Sequence, residues 1–227
     1  MALAIFDIDG TLADLFAVHV AVYKKALKAI YGVEGSLFDI KSFSGMPYTD
    51  IVKLIAEQKG VDKHVIAAKA GMIPAAFRQL MESGLDNGSV KVLPGVKGLL
   101  RGLEKAGCLV AVISGNSRKN SEAILGKAGL QNYFIANAFG DEAGNRGGVL
   151  NLAIERVQQQ TGKCMQRSAV CVIDDSVRGI AAGKAIGIRA IAVATGPESY
   201  AELEAAKPDA IFKDLTDTEK VLRAIHG

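Results

Sequence analysis

Several short runs of apolar residues along the chain end at Asp, Ser or Gly. Continuous apolar character, rather than alternation with polar residues, is typical of strands that are covered on both faces in a parallel sheet. We therefore predict four strands and two weaker ones. The four are Ala2–Phe6, Leu109–Ile113, Ala169–Ile173 and Ala190–Ala194, and the weaker two are Tyr133–Phe139 and Ala210–Phe212.

Helical patterns separate these strands, and a glycine that can end a helix follows each of them. Alternation of strands and helices favours an α/β fold, here a doubly wound, mainly parallel sheet of the Rossmann-like type. The four helices are Val96–Ala106, Ser117–Ala128, Val149–Gln160 and Ser176–Ile186, and the glycines are Gly107, Gly129, Gly162 and Gly187.

The alternation is interrupted between the first and second strands. Helical patterns cover Phe16–Tyr31 and Thr49–Lys59, and a third covers Val61–Ser83 with an interruption at Pro74. A strong turn signal, Asp-Asn-Gly-Ser, follows at residues 86–89. We therefore predict a catalytic core of residues 1–14 and 90–227 with a helical cap inserted at residues 15–89.

Composition narrows the class of protein. Of the 227 residues 49% are hydrophobic, and 27 basic and 24 acidic residues give a net charge of +3 without a run of like charge, which argues against a nucleic-acid binder. Asp7 and Asp9 interrupt the opening apolar run, so we predict no secretory signal, and no apolar stretch reaches the length of a membrane span. The three cysteines form no Cys-x-x-Cys pair. We expect a soluble, cytoplasmic monomer or homodimer with no nucleic-acid or membrane partner.

The first strand ends in the sequence Asp-Ile-Asp-Gly-Thr at residues 7–11. Ligands of open α/β sheets bind at the carboxyl ends of the strands, so this motif lies where a site is expected. If the chain stays extended, the side chains of Asp7 and Asp9 point to the same side, and Gly10 allows the backbone to turn close to a ligand. The alternative is a purely structural Asx-type turn.

The second strand ends in Ser114-Gly115-Asn116, directly before a predicted helix. A hydroxyl group together with free backbone N–H groups at a helix N-terminus can bind an anion. The alternative is plain N-capping of the helix by Ser114 or Ser117.

Two adjacent acids, Asp174 and Asp175, follow another apolar strand and precede Ser176. A further carboxylate beside Asp7 and Asp9 costs roughly 4 kcal/mol for each like-charge contact at about 4 Å. A divalent cation would reverse the sign of that energy, and all-oxygen ligands suit Mg²⁺. The alternative is that Asp175 or Ser176 only caps the next helix.

Together the three motifs resemble those of the haloacid dehalogenase superfamily, in its branch of phosphoglycolate phosphatases and β-phosphoglucomutases with a small helical cap. The resemblance covers nearly the whole chain. It rests on residues 7–14 (Asp-Ile-Asp-Gly-Thr-Leu-Ala-Asp), on residues 112–116 (Val-Ile-Ser-Gly-Asn), and on residues 172–176 (Val-Ile-Asp-Asp-Ser) followed by Gly179.

The resemblance implies roles for these residues. Asp7 is the nucleophile that forms an aspartyl-phosphate, and Asp9 is the general acid that later acts as the base. Mg²⁺ is held by the Asp7 carboxylate, the Asp9 backbone carbonyl and Asp175, with Asp174 as a helper. The residues expected to bind the phosphoryl group are Gly10, Thr11, Ser114, Gly115 and Asn116.

One motif departs from the family pattern. Members normally have a lysine, often before a proline, that pairs with the nucleophile and the phosphate, but residues 141–148 contain no lysine. Arg146 is the best replacement, since an arginine is always charged and can contact phosphate or carboxylate with two N–H groups. The alternative is a solvent-exposed loop arginine.

Within the predicted cap, Phe43 and Met46 lie in a loop that is expected to face the site and help select the substrate, as caps of this family do. The alternative is a turn that only connects two helices. His19 and His64 have no obvious ligand partners in the sequence, and we expect surface or packing roles for both.

Members of the family that cleave carbon–halogen bonds lack an acid at the position of Asp9, so the resemblance implies phosphate-ester chemistry. We expect Mg²⁺-dependent hydrolysis of a small phosphorylated metabolite, with phosphoglycolate or a sugar phosphate as the first guesses. Two alternatives stay open: a phosphomutase of the β-phosphoglucomutase type, and a non-catalytic ligand-binding or scaffold protein that kept the fold.

Overall fold

The structure is a computed structural model that describes residues 1–41, 43, 46–86 and 90–227. Six strands form the main sheet and two short ones form a separate ribbon. In chain order the strands are β1 (Leu3–Asp7), β2 (Ala13–Asp14), β3 (Lys91–Val92), β4 (Leu109–Ser114), β5 (Ala136–Phe139), β6 (Val170–Asp174), β7 (Arg189–Val193) and β8 (Ala210–Phe212).

The main sheet is entirely parallel and has the strand order β5–β4–β1–β6–β7–β8. Strand β1 lies inside the sheet, where Phe6 pairs with Val112 of β4 and Ile173 of β6. This arrangement confirms the predicted doubly wound α/β sheet. It also brings the carboxyl ends of β1, β4 and β6 next to one another, and these are the ends that carry the three motifs.

Ten α-helices complete the described part of the chain. They are α1 (Phe16–Tyr31), α2 (Tyr48–Gln58), α3 (Lys63–Lys69), α4 (Ile73–Asp86), α5 (Val96–Lys105), α6 (Arg118–Ala128), α7 (Arg146–Thr161), α8 (Val177–Ala185), α9 (Tyr200–Ala205) and α10 (Thr218–His226). None of these helices is both long and apolar enough to cross a membrane.

The alternation of side chains along β1 divides the core into two layers. Leu3 and Ile5 belong to one buried cluster together with residues of α7 and α8. Ala4 and Phe6 belong to the other, which includes residues of α5 and α10 and extends into the helices between residues 16 and 86. Both faces of the sheet are therefore covered, which explains why β1 is apolar without alternation.

Pro74 does not interrupt a helix, contrary to the prediction. It is the second residue of α4, and the break comes earlier, at a 3-10 turn over Ala70–Met72. Proline is tolerated in the first turn of a helix because the N–H group that it lacks has no partner there.

The predicted strand Tyr133–Phe139 is shorter in the structure, because its first residue ends the 3-10 turn Gln131–Tyr133 and only Ala136–Phe139 pairs with β4. Strands β2 and β3 pair in an antiparallel ribbon that the apolar pattern did not indicate. The turn predicted at residues 86–89 lies largely outside the described residues. The proposed boundary between a core and a cap stays a prediction.

Candidate active site

The chain turns sharply where β1 ends. Asp7 is the last residue of the strand and is 7% exposed. The backbone N–H groups of Leu12 and Ala13 both donate to the carbonyl of Ile8, and the Gly10 N–H donates to the Ala13 carbonyl. Gly10 has a φ of +81°, a conformation that favours glycine. Because of this turn, the strand ends at the nucleophile predicted from the sequence.

Three buried carboxylates meet at this edge of the sheet. Oxygen atoms of Asp7, Asp174 and Asp175 all lie within 4.8 Å of one another. Burial, reinforced by the neighbouring acids, raises the pKa of Asp7 to about 7 and the pKa of Asp175 well above its usual range. A bound divalent cation would relieve this repulsion, and an all-oxygen donor set fits Mg²⁺.

Arg146 lies against two of these carboxylates. Its Nη2 atom is 2.6 Å from Oδ1 of Asp7 and 2.5 Å from Oδ2 of Asp174, and its side chain is 9% exposed. The arginine is the first residue of α7, and the preceding Asn145 caps that helix by accepting the Gly148 N–H. The alternative of a solvent-exposed loop arginine does not hold, whereas contact with a phosphate stays a prediction.

Hydrogen bonds from Ser176 and Arg146 hold the carboxylate of Asp174 in place. Its Oδ1 atom accepts hydrogen bonds from the backbone N–H and the hydroxyl group of Ser176. Its Oδ2 atom accepts from Arg146. A Cβ atom at Gly179 would lie 2.0 Å from this carboxyl group, so only glycine leaves room for it. Asp174 therefore fixes the position of Arg146, beside any contribution that it makes to a metal site.

Asp9 has a separate set of partners. Its carboxylate lies 2.8 Å from the Nε2 atom of His19 and accepts hydrogen bonds from the Asn116 amide at 2.8 Å and the Ser114 hydroxyl at 3.3 Å. The expectation of a surface or packing role for His19 was wrong, because α1 carries this histidine to the site. His64 is exposed, as expected.

The residues expected to bind phosphate are only partly brought together. Gly10, Gly115, Asn116 and Arg146 line one cavity, but Thr11 and Ser114 are fully buried and are not among the described residues that line it. The Thr11 hydroxyl donates to Asp175 at 3.0 Å, and the Ser114 hydroxyl accepts the Asn116 N–H at 3.1 Å. Ser117 and Ser176 are N-caps of α6 and α8, as the alternative interpretations of these two motifs predicted.

The cavity above the carboxylates has a volume of about 310 Å³. Phe43 and Met46 line it, in the position expected from the resemblance, but their role in selecting the substrate stays a prediction. Further lining residues were not found from the sequence. Among them are His19, Tyr23 and Tyr48 of the helices, and Thr195, Gly196 and Pro197 after β7.

Gly196 makes room for the carboxylate of Asp175. A Cβ atom at this position would lie 1.7 Å from the Asp175 Oδ2 atom. We expect Gly196→Ala to displace Asp175 and to weaken Mg²⁺ binding by roughly 10- to 100-fold, measured by titration calorimetry. Gly144→Ala is the matched control, because a Cβ atom there meets nothing within 4 Å. Equal Mg²⁺ affinities of the two variants would contradict this account of Gly196.

Comparison with known proteins agrees with the resemblance noted in the sequence. A family model described as "Haloacid dehalogenase-like hydrolase" matches residues 4–193. A phosphoglycolate phosphatase from Synechococcus elongatus is 27% identical over 222 residues, which cover 96% of this chain and 95% of that protein.

Two solved structures are similar to this chain over almost its whole length. A hydrolase from Pseudomonas syringae has a TM-score of 0.77 at 20% identity and covers 100% of both chains. A β-phosphoglucomutase from Clostridium difficile has a TM-score of 0.76 at 16% identity, covering 99% of this chain and 97% of that one. At these low sequence identities, the similarity shows a shared fold and nothing about function.

Proposed function

Because this chain belongs to the haloacid dehalogenase-like hydrolase family and is an enzyme of the phosphatase type, we propose that it hydrolyses the phosphate monoester of a small metabolite with the help of Mg²⁺. The reaction proceeds through an aspartyl-phosphate on Asp7. The observation that carries this proposal is the position of Asp7 on the cavity lining, in contact with Arg146 and grouped with Asp174 and Asp175.

The first half of the reaction is a phosphoryl transfer. An oxygen atom of Asp7 forms a bond to phosphorus while the ester P–O bond breaks, and Asp9 gives its proton to the departing alcohol oxygen. In the second half Asp9 removes a proton from water, the water oxygen bonds to phosphorus, and the acyl-phosphate bond breaks. Asp7 is then free and inorganic phosphate leaves.

Cationic groups make the approach of a phosphate to these acids feasible. Mg²⁺, held by Asp7, Asp175 and the Asp9 carbonyl with help from Asp174, would neutralise charge on the phosphoryl oxygens when bound. Arg146 contacts the Asp7 carboxylate directly and is positioned to contact the same oxygens. Gly10, Gly115 and Asn116 line the cavity beside it and would border the phosphoryl group.

The helical segment of residues 15–89 acts as a cap over this site. Its residues Phe16, Tyr23 and Tyr48 line the same cavity as Asp7 and Asp175. Strands β2 and β3 pair where the chain leaves and re-enters the sheet region, so the two connections run side by side. A cap attached in this way can open to admit substrate and close to exclude water during the transfer.

The proposal is tested by measuring phosphate release from a panel of small phosphate monoesters, with Mg²⁺ and with EDTA. We expect release from at least one ester, and only with Mg²⁺. An isomerised product without free phosphate would instead indicate a phosphomutase. The absence of any product across the panel would favour a non-catalytic binding protein.

Mg²⁺ should also stabilise the fold in a pH-dependent manner. Since the pKa of Asp7 is raised from 3.8 to about 7, the metal-free protein should lose stability as the pH rises through this window. At about pH 8 a hundredfold excess of Mg²⁺ over its Kd should raise Tm by roughly 5–10 °C, and at about pH 5 by much less. Differential scanning calorimetry measures both shifts.

Asp175→Asn is the control for this measurement, because it removes a carboxylate of the group and should abolish most of the Mg²⁺ effect. Identical melting of the Mg²⁺-loaded and EDTA-treated wild type at about pH 8 would refute a metal site at these carboxylates.

A further inference from the structure

We propose that the alcohol part of the substrate is an uncharged apolar or aromatic group, and that esters carrying a second anion are poor substrates. This inference rests on the proposed phosphatase function and specifies its substrate class. It departs from the first guess of phosphoglycolate, whose alcohol part ends in a carboxylate.

Two parts of the cavity lining differ in chemistry. One part carries the acids at the strand ends and Arg146, where the phosphoryl group would lie. The other part, called the wall below, is mostly apolar and aromatic and comes from the helical segment. The side chains that form most of this wall are Phe16, Tyr23, Phe43, Met46, Tyr48 and Ile51.

A second anion would find no lysine or arginine on the described part of that wall, and the His19 imidazole there already contacts Asp9. Among the described residues that line the cavity, Arg146 is the only lysine or arginine, and Asp7 and Asp174 already contact its guanidinium group. Arg78 of α4, whose charge acts on the Tyr48 hydroxyl, is exposed and does not line the cavity. Ser42, Ser44 and Gly45, which the structure does not describe, are uncharged residue types.

Acids on the cavity surface also disfavour a substrate that carries a second anion. Asp9 and Asp14 both line the cavity, so a carboxylate on the alcohol part would meet like charge as well as an apolar wall. Burying a charge without a partner is strongly unfavourable, whereas an apolar group gains free energy by leaving water. The wall therefore favours the neutral ester over the doubly anionic one.

The tyrosines of the wall are held in place and stay neutral. The ring of Phe77, which is fully buried, packs against Tyr23 at 5.0 Å and Tyr48 at 4.6 Å between centroids. Burial raises the pKa of both tyrosines, so their hydroxyl groups remain protonated near neutral pH. The rings of Phe16 and Phe43, which also line the cavity, stack with their centroids 6.5 Å apart. Such rings provide a pre-formed surface for another ring.

The size of the cavity limits the alcohol further. A volume of about 310 Å³ is at the lower end of the roughly 300–1,000 Å³ of small-molecule sites. The phosphoryl group occupies part of it. The remainder suits a single ring or a short branched chain.

The test compares kcat/KM of the wild type for benzyl phosphate and for phosphoglycolate in Mg²⁺. Both esters release an alkyl alcohol, so a difference reports recognition of the group beyond the oxygen. We expect benzyl phosphate to be favoured by at least about 10-fold. Equal kcat/KM values for the two esters, or a higher value for phosphoglycolate, would overturn the inference and leave the proposed phosphatase function intact. Hydrolysis of no ester at all would overturn both.

A pair of variants tests the wall itself. Phe16 lines the cavity and is 39% exposed, so Phe16→Arg adds a cation there and removes the ring contacts of Phe16 with Phe38 and Phe43. It should raise the phosphoglycolate-to-benzyl phosphate ratio of kcat/KM by about 10-fold or more. Met72→Arg adds the same charge at an exposed position outside the cavity and should leave the ratio unchanged. Equal ratios in Phe16→Arg and wild type would count against the inference.

Discussion

Asp7→Asn should lower kcat by at least about 10,000-fold in the presence of Mg²⁺, because an amide cannot act as the nucleophile that accepts the phosphoryl group. The two side chains have nearly the same shape, so the turn after β1 should persist. The variant also removes one negative charge from a crowded group in which burial already disfavours ionisation of Asp7. Tm should therefore change little.

The measurement is phosphate release from the best ester of the panel, together with a thermal melt that shows the variant to be folded. Asp50→Asn is the matched control, since Asp50 is exposed and contacts only Lys53 among its described ion-pair partners. Retention of more than about one hundredth of the wild-type kcat in Asp7→Asn would show that another group accepts the phosphoryl.

Arg146→Met should damage both stability and activity. One guanidinium nitrogen contacts Asp7 and Asp174, so its removal leaves two buried carboxylates without their shared cation. Loss of one partner from a buried ion pair costs about 3–5 kcal/mol, and we expect Tm of the metal-free protein to fall by roughly 10 °C. Loss of a cation at the transferring group should lower kcat by roughly 100- to 1,000-fold.

Arg146→Lys separates charge from geometry. Lysine keeps the positive charge, and a single guanidinium nitrogen makes both contacts with Asp7 and Asp174, so kcat should stay within about 10-fold of wild type. Arg167→Met, at an exposed arginine that contacts Asn151, controls for the loss of charge alone. Full activity and normal melting of Arg146→Met would mean that the arginine neither holds the nucleophile nor helps the phosphoryl transfer.

The sequence predicted the six strands of the sheet with boundaries that mostly differ by one or two residues, and it predicted α1 with the bounds that the structure has. This accuracy has a local cause. A strand covered on both faces must be apolar at consecutive positions, and an amphipathic helix must repeat its apolar residues with its own period. Both signals are present in the segment itself.

His19 shows what local patterns could not provide. Its contact with Asp9 depends on how α1 lies across the end of β1, which is a matter of tertiary packing. One usable signal did exist, because Phe16, His19 and Tyr23 are spaced to share a helix face, and all three line the cavity. With Phe16 and Tyr23 already on an apolar face, the histidine among them was a candidate for a buried polar role.

Thr195 and Gly196 were missed for a different reason. The rule that ligands bind at the carboxyl ends of strands applies to β7 as much as to β1, β4 and β6. However, the four residues directly after β7, Ala194 to Pro197, include no acid, and the contribution of Thr195 and Gly196 is steric and backbone-mediated. Thr195 donates to the Gly10 carbonyl at 2.6 Å, and Gly196 makes room for Asp175. Such contacts can be recognised only from the three-dimensional positions of the neighbouring loops.

The internal position of β1 has a consequence for how the chain is made. Leu3 to Phe6 are synthesised before both of their pairing partners, which lie at residues 109–112 and 170–173. At roughly 5–20 residues per second, this apolar segment waits on the order of ten seconds or longer for its second neighbour. Helices α1 and α4, which pack on each other, are complete long before then. Asp7 therefore reaches its final environment late in synthesis, and a truncated chain that ends before β6 should expose β1 to aggregation.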